Sequence, residues 1–351
     1  CAMYIALMVE LPAPILSFRA PPASKVHSWP DESGAPPTES ARQACCNAGW
    51  LKCAVLRGLS GNTDWRLTRI HPDYRNCLHP TMPELPEVET TRLGLLPRLR
   101  GRTLRHIVVR NPRLRWPVPD DLEARLAGLT LEGIGRRGKY LLFDFGGATQ
   151  IVHLGMSGSL RFADPDEPAA LHDHVDWLFD GGITLRLRDP RRFGAVLATD
   201  DVTQHPLLAH LGPEPLTPAF DAAYLHARCQ RRNTSIKQLI MDPHVVVGVG
   251  NIYASESLFH AGIRPATAAR RLSRPACTRL VDAIKRVLTA AIAAGGSSLR
   301  DYVASDGELG YFQLQTRVYD REGLPCKACA TPIRRIVQGQ RASFYCPACQ
   351  R

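Results

Sequence analysis

The 351-residue sequence has no apolar run close to the roughly 18 residues that a membrane-spanning helix needs, so no membrane span is expected. Residues 2 to 18 are fairly apolar, but Glu10, Pro12 and Pro14 interrupt them and no basic segment leads them, which argues against a secretory signal. Negative charge is in deficit: 33 acidic residues stand against 44 Lys and Arg, a formal charge of +11. A surface short of acid favours a polyanionic partner, and nucleic acid is the commonest soluble one. There is no internal repeat. Hydrophobic residues make up 44% of the chain, which excludes disorder for its bulk and leaves room for two domains. The sequence reads as an intracellular, cytoplasmic protein, where thiols stay reduced and regularly spaced cysteines point to metal rather than disulfides.

Residues 1 to 81 hold five of the eleven cysteines and lack any sustained helical or strand period. They are expected to be a poorly ordered extension or the product of a misassigned start. They carry 8 basic and 6 acidic residues, leaving 36 against 27 in the other 270, so the basic excess belongs to residues 82 to 351. Met82-Pro83-Glu84-Leu85-Pro86-Glu87-Val88-Glu89 reads as the start of a protein. Removal of Met82 would leave Pro83 with a free secondary amine, a nucleophile that no internal residue can supply.

From Pro86 a helix is expected, because Leu85, Val88, Leu95, Leu96 and Leu99 recur at helical spacing; Gly101 ends it. Short alternating segments follow at 103–109, 140–145, 150–154, 175–180, 183–188 and 195–199, separated by turn signals such as Gly146-Gly147, and predict an antiparallel sandwich or barrel. The proline-rich run Gly212 to Pro218 is the best domain boundary. Beyond it the period turns helical, with candidates at 220–231, 235–241, 252–261 and 274–294.

Cys326-x-x-Cys329 and Cys346-x-x-Cys349, with 16 residues between the pairs, have the spacing of a tetrahedral structural zinc site. Four thiolates leave no open position for water, so one zinc ion should fold the tail rather than catalyse. Between the pairs, Arg334, Arg335, Arg341, Phe344 and Tyr345 suggest a two-stranded ribbon with a basic tip. Upstream, Val245 to Ala254 places Gly248 and Gly250 directly before a helix. Backbone N–H groups, the Asn251 side chain and Lys237 could meet a phosphate there. The same glycines also suit a plain N-capped core helix.

Taken together, Met82 to Glu89, His153-Leu154-Gly155-Met156-Ser157-Gly158, Asp189-Pro190-Arg191-Arg192-Phe193-Gly194, Gly250-Asn251-Ile252-Tyr253 and the four-cysteine finger resemble bacterial formamidopyrimidine-DNA glycosylase over all of residues 82 to 351. The resemblance implies an α+β chain. Its parts are a β-sandwich with a leading helix (82–212), a helical helix-two-turn-helix domain (213–315) and a C-terminal four-cysteine zinc ribbon (316–351). It implies a bifunctional base-excision repair glycosylase and lyase. Such an enzyme removes oxidised purines from damaged double-stranded DNA through a proline Schiff base, cuts the strand by β,δ-elimination, and acts as a bacterial, nucleoid-associated monomer.

By the same resemblance Pro83 is the nucleophile, Glu84 the general acid, Lys139 the proton donor for β-elimination and Arg341 that for δ-elimination. Met156, Arg191 and Phe193 form the wedge that fills the gap left by a flipped nucleotide. His172, Arg191 and Arg232 make further DNA contacts, and Lys237 and Asn251 hold backbone phosphate. Ser305 to Phe312 matches the loop that closes over the flipped base.

Two rivals remain open. Endonuclease VIII shares the architecture but prefers oxidised pyrimidines, and Leu85 with the run Pro86 to Glu89 favours the purine enzyme. A non-catalytic zinc-dependent DNA-binding protein follows if residues 1 to 81 stay attached, because Pro83 is then a tertiary amide.

Overall fold

The computed structural model describes residues 83–296 and 316–351 together with the short segments 4–7, 53–57 and 66–67. The chain divides into two units, residues 1–80 and 81–351. In the first, β1 (Tyr4–Leu7), β2 (Cys53–Arg57) and β3 (Arg66–Leu67) form one antiparallel ladder where the sequence shows no strand period. The remaining expectation for residues 1 to 81 lies outside the described residues, as does the loop from Ser305 to Phe312.

The second unit opens with α1 (Leu85–Leu99). Leu85, Val88, Leu95 and Leu99 are buried along one stripe. Glu84 and Glu87 form a reciprocal capping box, and Pro86 occupies the first turn, where a missing N–H costs nothing. Eight strands follow: β4 (Leu104–Val109), β5 (Gly133–Arg137), β6 (Tyr140–Asp144), β7 (Thr149–His153), β8 (Ser159–Ala163), β9 (Asp173–Phe179), β10 (Ile183–Arg188) and β11 (Ala195–Thr199). A short helix α2 (Leu122–Leu126) precedes β5.

These strands make two four-stranded antiparallel sheets, ordered β4-β9-β10-β8 and β11-β7-β6-β5. One apolar core joins them, with Val175, Trp177 and Leu187 of one sheet in the same cluster as Leu141, Phe143 and Val152 of the other and with Val88, Leu95 and Leu99 of α1. This is the sandwich that the alternation predicted. Each buried Leu or Val there contributes on the order of 2 kcal/mol of transfer free energy.

The second core is helical, from α3 (Ala222–Cys229), α4 (Ile236–Ile240), α5 (Asn251–Ala261) and α6 (Arg274–Ala293). Asp221 caps α3 through the Tyr224 N–H and Ser235 caps α4 through the Gln238 N–H, which fixes both starts. Helix α1 packs on both β5 and α6, so it spans the two cores. The chain closes with the ribbon β12 (Arg334–Gln338) and β13 (Arg341–Tyr345). No helix among the described residues is long and apolar enough to cross a membrane.

Candidate active site

Pro83 and Glu84 stand at the start of α1, and both are buried. The start of α5 meets them. The Ile252 N–H donates to Glu84 Oε1 at 3.0 Å and the Tyr253 N–H to Oε2 at 3.4 Å. A helix N-terminus is where free N–H groups and the helix dipole favour an acceptor. The sequence analysis offered those N–H groups to a phosphate. Instead two of them are occupied by Glu84, and Asn251 is left as the polar side chain at that helix start. Gly250 permits the approach, because a Cβ there would stand 2.1 Å from Glu84 Cδ.

Two residues that the sequence analysis did not single out complete this corner. Glu87 Oε2 accepts the Glu84 N–H at 2.9 Å, and the Tyr253 hydroxyl donates to Glu87 Oε1 at 2.6 Å. The peptide directly after Pro83 is therefore pinned from α1 and α5 together.

Lys139 sits in the two-residue turn between β5 and β6, within electrostatic reach of Glu84. Burial pushes the Glu84 carboxyl above its ordinary range; the Lys139 charge pulls it down, Glu87 adds to the rise and the two N–H donors oppose it. Burial lowers Lys139, the Glu84 charge opposes that, and Arg341 reinforces it. A raised acid beside a lowered amine is the pairing expected where protons are transferred.

The Lys139 turn is held from across the domain boundary. Glu214 accepts Arg136 Nη1 at 2.8 Å, Arg137 Nη1 at 3.1 Å and the Gly138 N–H at 2.7 Å, while Arg136 Nε also donates to Glu89 at 2.7 Å. The Pro-rich run chosen as a boundary thus also anchors the turn that carries Lys139.

Lys237 is buried, and its Nζ donates to Asn251 Oδ1 at 2.6 Å, Ser343 Oγ at 2.8 Å and the Ala342 carbonyl at 2.9 Å. All three of its N–H groups are used, so Lys237 ties α4, α5 and β13 together and lends only its charge to anything beyond them. Burial lowers the ammonium to about 7, opposed by the Glu84 charge and aided by Arg341. Tyr319, also absent from the sequence analysis, pairs with the Asn251 side chain. Its hydroxyl is pushed up to about 12, chiefly by burial. Arg341 is exposed at the tip of the β12–β13 hairpin, whose turn passes through Gly339 (φ 52) and Gln340 (φ 62). Its charge acts on both Lys139 and Lys237, which places the tip beside the same cluster.

Met156 lies in the loop between β7 and β8, and Arg191 and Phe193 in the loop between β10 and β11. Phe193 is 43% exposed, which rules out core packing as its role. The Arg191 guanidinium stands 5.4 Å from the centre of the Phe193 ring. His172 directly precedes β9, and its carbonyl accepts the Asp189 N–H at 3.0 Å. Arg232 is exposed after α3. His153, at the end of β7, accepts the Gly155 N–H on Nδ1 at 3.0 Å. An amide can only donate, so Nε2 carries the ring proton. Burial, with the Lys139 and Arg115 charges, lowers His153 to about 4, which keeps it neutral.

The Sγ atoms of Cys326, Cys329, Cys346 and Cys349 lie within 4.8 Å of one another: Cys326 and Cys349 are 4.0 Å apart, and Cys329 is 3.4 Å from both Cys346 and Cys349. A disulfide needs about 2.05 Å. Sulfurs at about 2.3 Å from a tetrahedral zinc ion lie roughly 3.8 Å apart, so these four fit that ion. The Ala328 and Cys349 N–H groups donate to Cys326 and Cys346 Sγ at 3.4 Å, as suits thiolates.

Three family models match the chain: the formamidopyrimidine-DNA glycosylase N-terminal domain over residues 82–196, the H2TH domain of that glycosylase over 211–303, and the zinc finger found in FPG and IleRS over 323–351. The chain belongs to the formamidopyrimidine-DNA glycosylase family. A formamidopyrimidine-DNA glycosylase from Thiobacillus denitrificans is 78% identical over 270 residues, 77% of this chain and the whole of that protein. Among solved structures, the MutM (FPG) protein of Thermus thermophilus superposes with a TM-score of 0.70 at 41% identity, covering 76% of this chain and 98% of that one. An FPG mutant of Lactococcus lactis in complex with a Fapy-dG containing DNA gives 0.72 at 35%, covering 77% and 100%. The finger match and the four close cysteines give this glycosylase-family chain one structural zinc ion.

Proposed function

We propose that this chain, with Pro83 as its N-terminal residue, is a base-excision repair enzyme that removes oxidised purines, 8-oxoguanine and formamidopyrimidines, from duplex DNA and then cuts the strand. The observation that carries the reading is the burial of the Pro83-Glu84 pair against the start of α5, with Lys139 and Arg341 in electrostatic reach. The damaged nucleotide is flipped out at a cost of a few kcal/mol. Met156 and Phe193 fill the gap in the stack, and Arg191 meets the acceptors of the orphaned cytosine.

The Pro83 nitrogen attacks the sugar's anomeric carbon as the bond to the base breaks; Glu84 then protonates the ring oxygen, the bond from that oxygen to the anomeric carbon breaks, and the opened sugar is left joined to Pro83 through a carbon–nitrogen double bond. The resulting iminium is cationic without further protonation and acidifies the adjacent sugar hydrogen, so loss of that proton expels the 3′ phosphate. A second elimination expels the 5′ phosphate. Lys139 serves the first elimination, and Arg341, permanently charged, steers phosphate in the second. Asn251 and Tyr319 face the backbone with Lys237 supplying charge behind them, and His172 and Arg232 add contacts. The working parts are residues 82–212, 213–315 and the zinc ribbon 316–351, acting as a cytoplasmic monomer. Incision of duplexes bearing 8-oxoguanine or thymine glycol tests the substrate class: preference for 8-oxoguanine is expected, and preference for thymine glycol would transfer the chain to the pyrimidine branch.

A further inference from the structure

The wedge side chains come from two loops that are far apart in sequence, and one hydroxyl joins them. Ser157 Oγ donates to Asp189 Oδ1 at 2.7 Å and accepts the Arg191 N–H at 3.1 Å. Asp189 is fully buried, and its other oxygen accepts the Gly194 N–H at 2.8 Å. Among the described residues no cation pairs with that carboxylate, so its solvation rests on this hydroxyl and this amide. A buried acceptor with so few donors depends strongly on each of them.

The backbones of the two loops also touch. A Cβ at Gly155 would stand 2.4 Å from the Phe193 carbonyl carbon, and Gly155 has φ +66, where side chains are disfavoured. Arg192, the residue between Arg191 and Phe193, is itself left-handed at φ 56, a conformation that persists only where its surroundings hold it. The Ser157 hydroxyl grips the residue just before it and the Asp189 carboxylate the residue two after it. Met156, Arg191 and Phe193 are therefore one body.

We infer that Ser157 is a positioning residue for opposite-base recognition: through Asp189 and the Arg191 amide it fixes where the Arg191 guanidinium meets the base opposite the lesion. This rests on the wedge reading given under Proposed function. Loss of the hydroxyl frees the Arg191 peptide and leaves a buried carboxylate oxygen without its donor. Discrimination between bases opposite the gap then falls, while contacts to the phosphates on either side are kept.

The test measures binding by the full chain and by the form that begins at Pro83, because binding needs no free amine. Duplexes carry tetrahydrofuran in place of the damaged nucleotide, opposite cytosine or adenine. The wild type should bind the cytosine duplex more tightly. Ser157→Ala should shrink the ratio of the two Kd values about ten-fold, the size of one hydrogen bond to an ionised group. Ser157→Thr, which keeps the hydroxyl, should restore it, with zinc content unchanged in both variants and Tm lowered by a few degrees in the Ala variant alone. A ratio for Ser157→Ala within about two-fold of wild type, the scatter of an ordinary surface change, overturns the inference. So does a Thr variant that behaves like Ala. A wild type with no preference between cytosine and adenine instead removes the wedge reading itself, and the inference with it.

Discussion

Glu84 and Ile252 are 168 residues apart in sequence, and the Ile252 N–H donates to Glu84 Oε1 at 3.0 Å. That bond fastens the first turn of α1, which belongs to the sandwich core through Val88, Leu95 and Leu99, to the first turn of α5 in the helical core. The residue beside Pro83 is thus aimed by the junction between the two cores, and the site exists only when both have formed.

Gly250→Ala tests this junction directly. Its Cβ would fall 2.1 Å from Glu84 Cδ, so the carboxylate must leave the start of α5. Excision in single-turnover assays should fall by about 10²-fold or more, the usual contribution of a general acid. Zinc content should stay at one ion per chain.

The pH dependence of excision follows from the raised Glu84 carboxyl. The rate that needs the protonated acid should hold above the ordinary carboxylate range and decline as pH rises through the raised value. Glu84→Gln should remove that limb and leave a low, flat residual rate. Stability has the same sign: the folded chain holds this proton more tightly than the unfolded one, so the Glu84 penalty is absent below 4.5 and grows as pH climbs. Urea unfolding across that range measures it.

Removal of zinc, by chelation or by Cys346→Ser, should unfold the ribbon and leave the sandwich intact. Lys237 would lose the Ala342 and Ser343 acceptors, and Arg341 would withdraw from the cluster. Strand cutting should be lost while the melting of the Trp177 core, followed by fluorescence, is retained. A chain that cuts normally without metal would contradict the structural role.

Glu214→Gln removes the carboxylate that binds Arg136, Arg137 and the Gly138 N–H. The cost should be about 2 kcal/mol in urea unfolding, since these are charge-assisted and largely shielded bonds. β-Elimination from a preformed abasic site should slow, because the Lys139 turn loosens.

Legibility in the sequence followed the range of the interactions. The four cysteines and the stripe of α1 are local patterns and read directly. Strands β4, β6, β7, β9, β10 and β11 showed their alternation, but β5 did not: Gly133-Ile134-Gly135-Arg136-Arg137 has a single apolar side chain, and its place is set by pairing with β6 and by the ion pairs of Arg136 and Arg137. Strand β8 was also passed over, although Leu160 and Phe162 alternate with Ser159 and Arg161. The parts of the site that stayed hidden, Glu87, Tyr253, Tyr319 and Glu214, act through partners 63 to 169 residues away or through neighbours with no motif of their own. The expectation that Lys237 adds its charge to a phosphate said nothing of its burial, because nothing local announces that β13 will supply two of its three acceptors.

The central claim is that a free Pro83 amine is the nucleophile. Borohydride reduction in the presence of 8-oxoguanine duplex tests it most directly, with the chain beginning at Pro83 compared with the chain in which residues 1 to 81 remain attached. The account predicts a covalent protein–DNA adduct for the Pro83 form, none for the longer form, and none for the Pro83 form once its amine is acetylated. An equal adduct from the longer form, or no adduct from either, would contradict it.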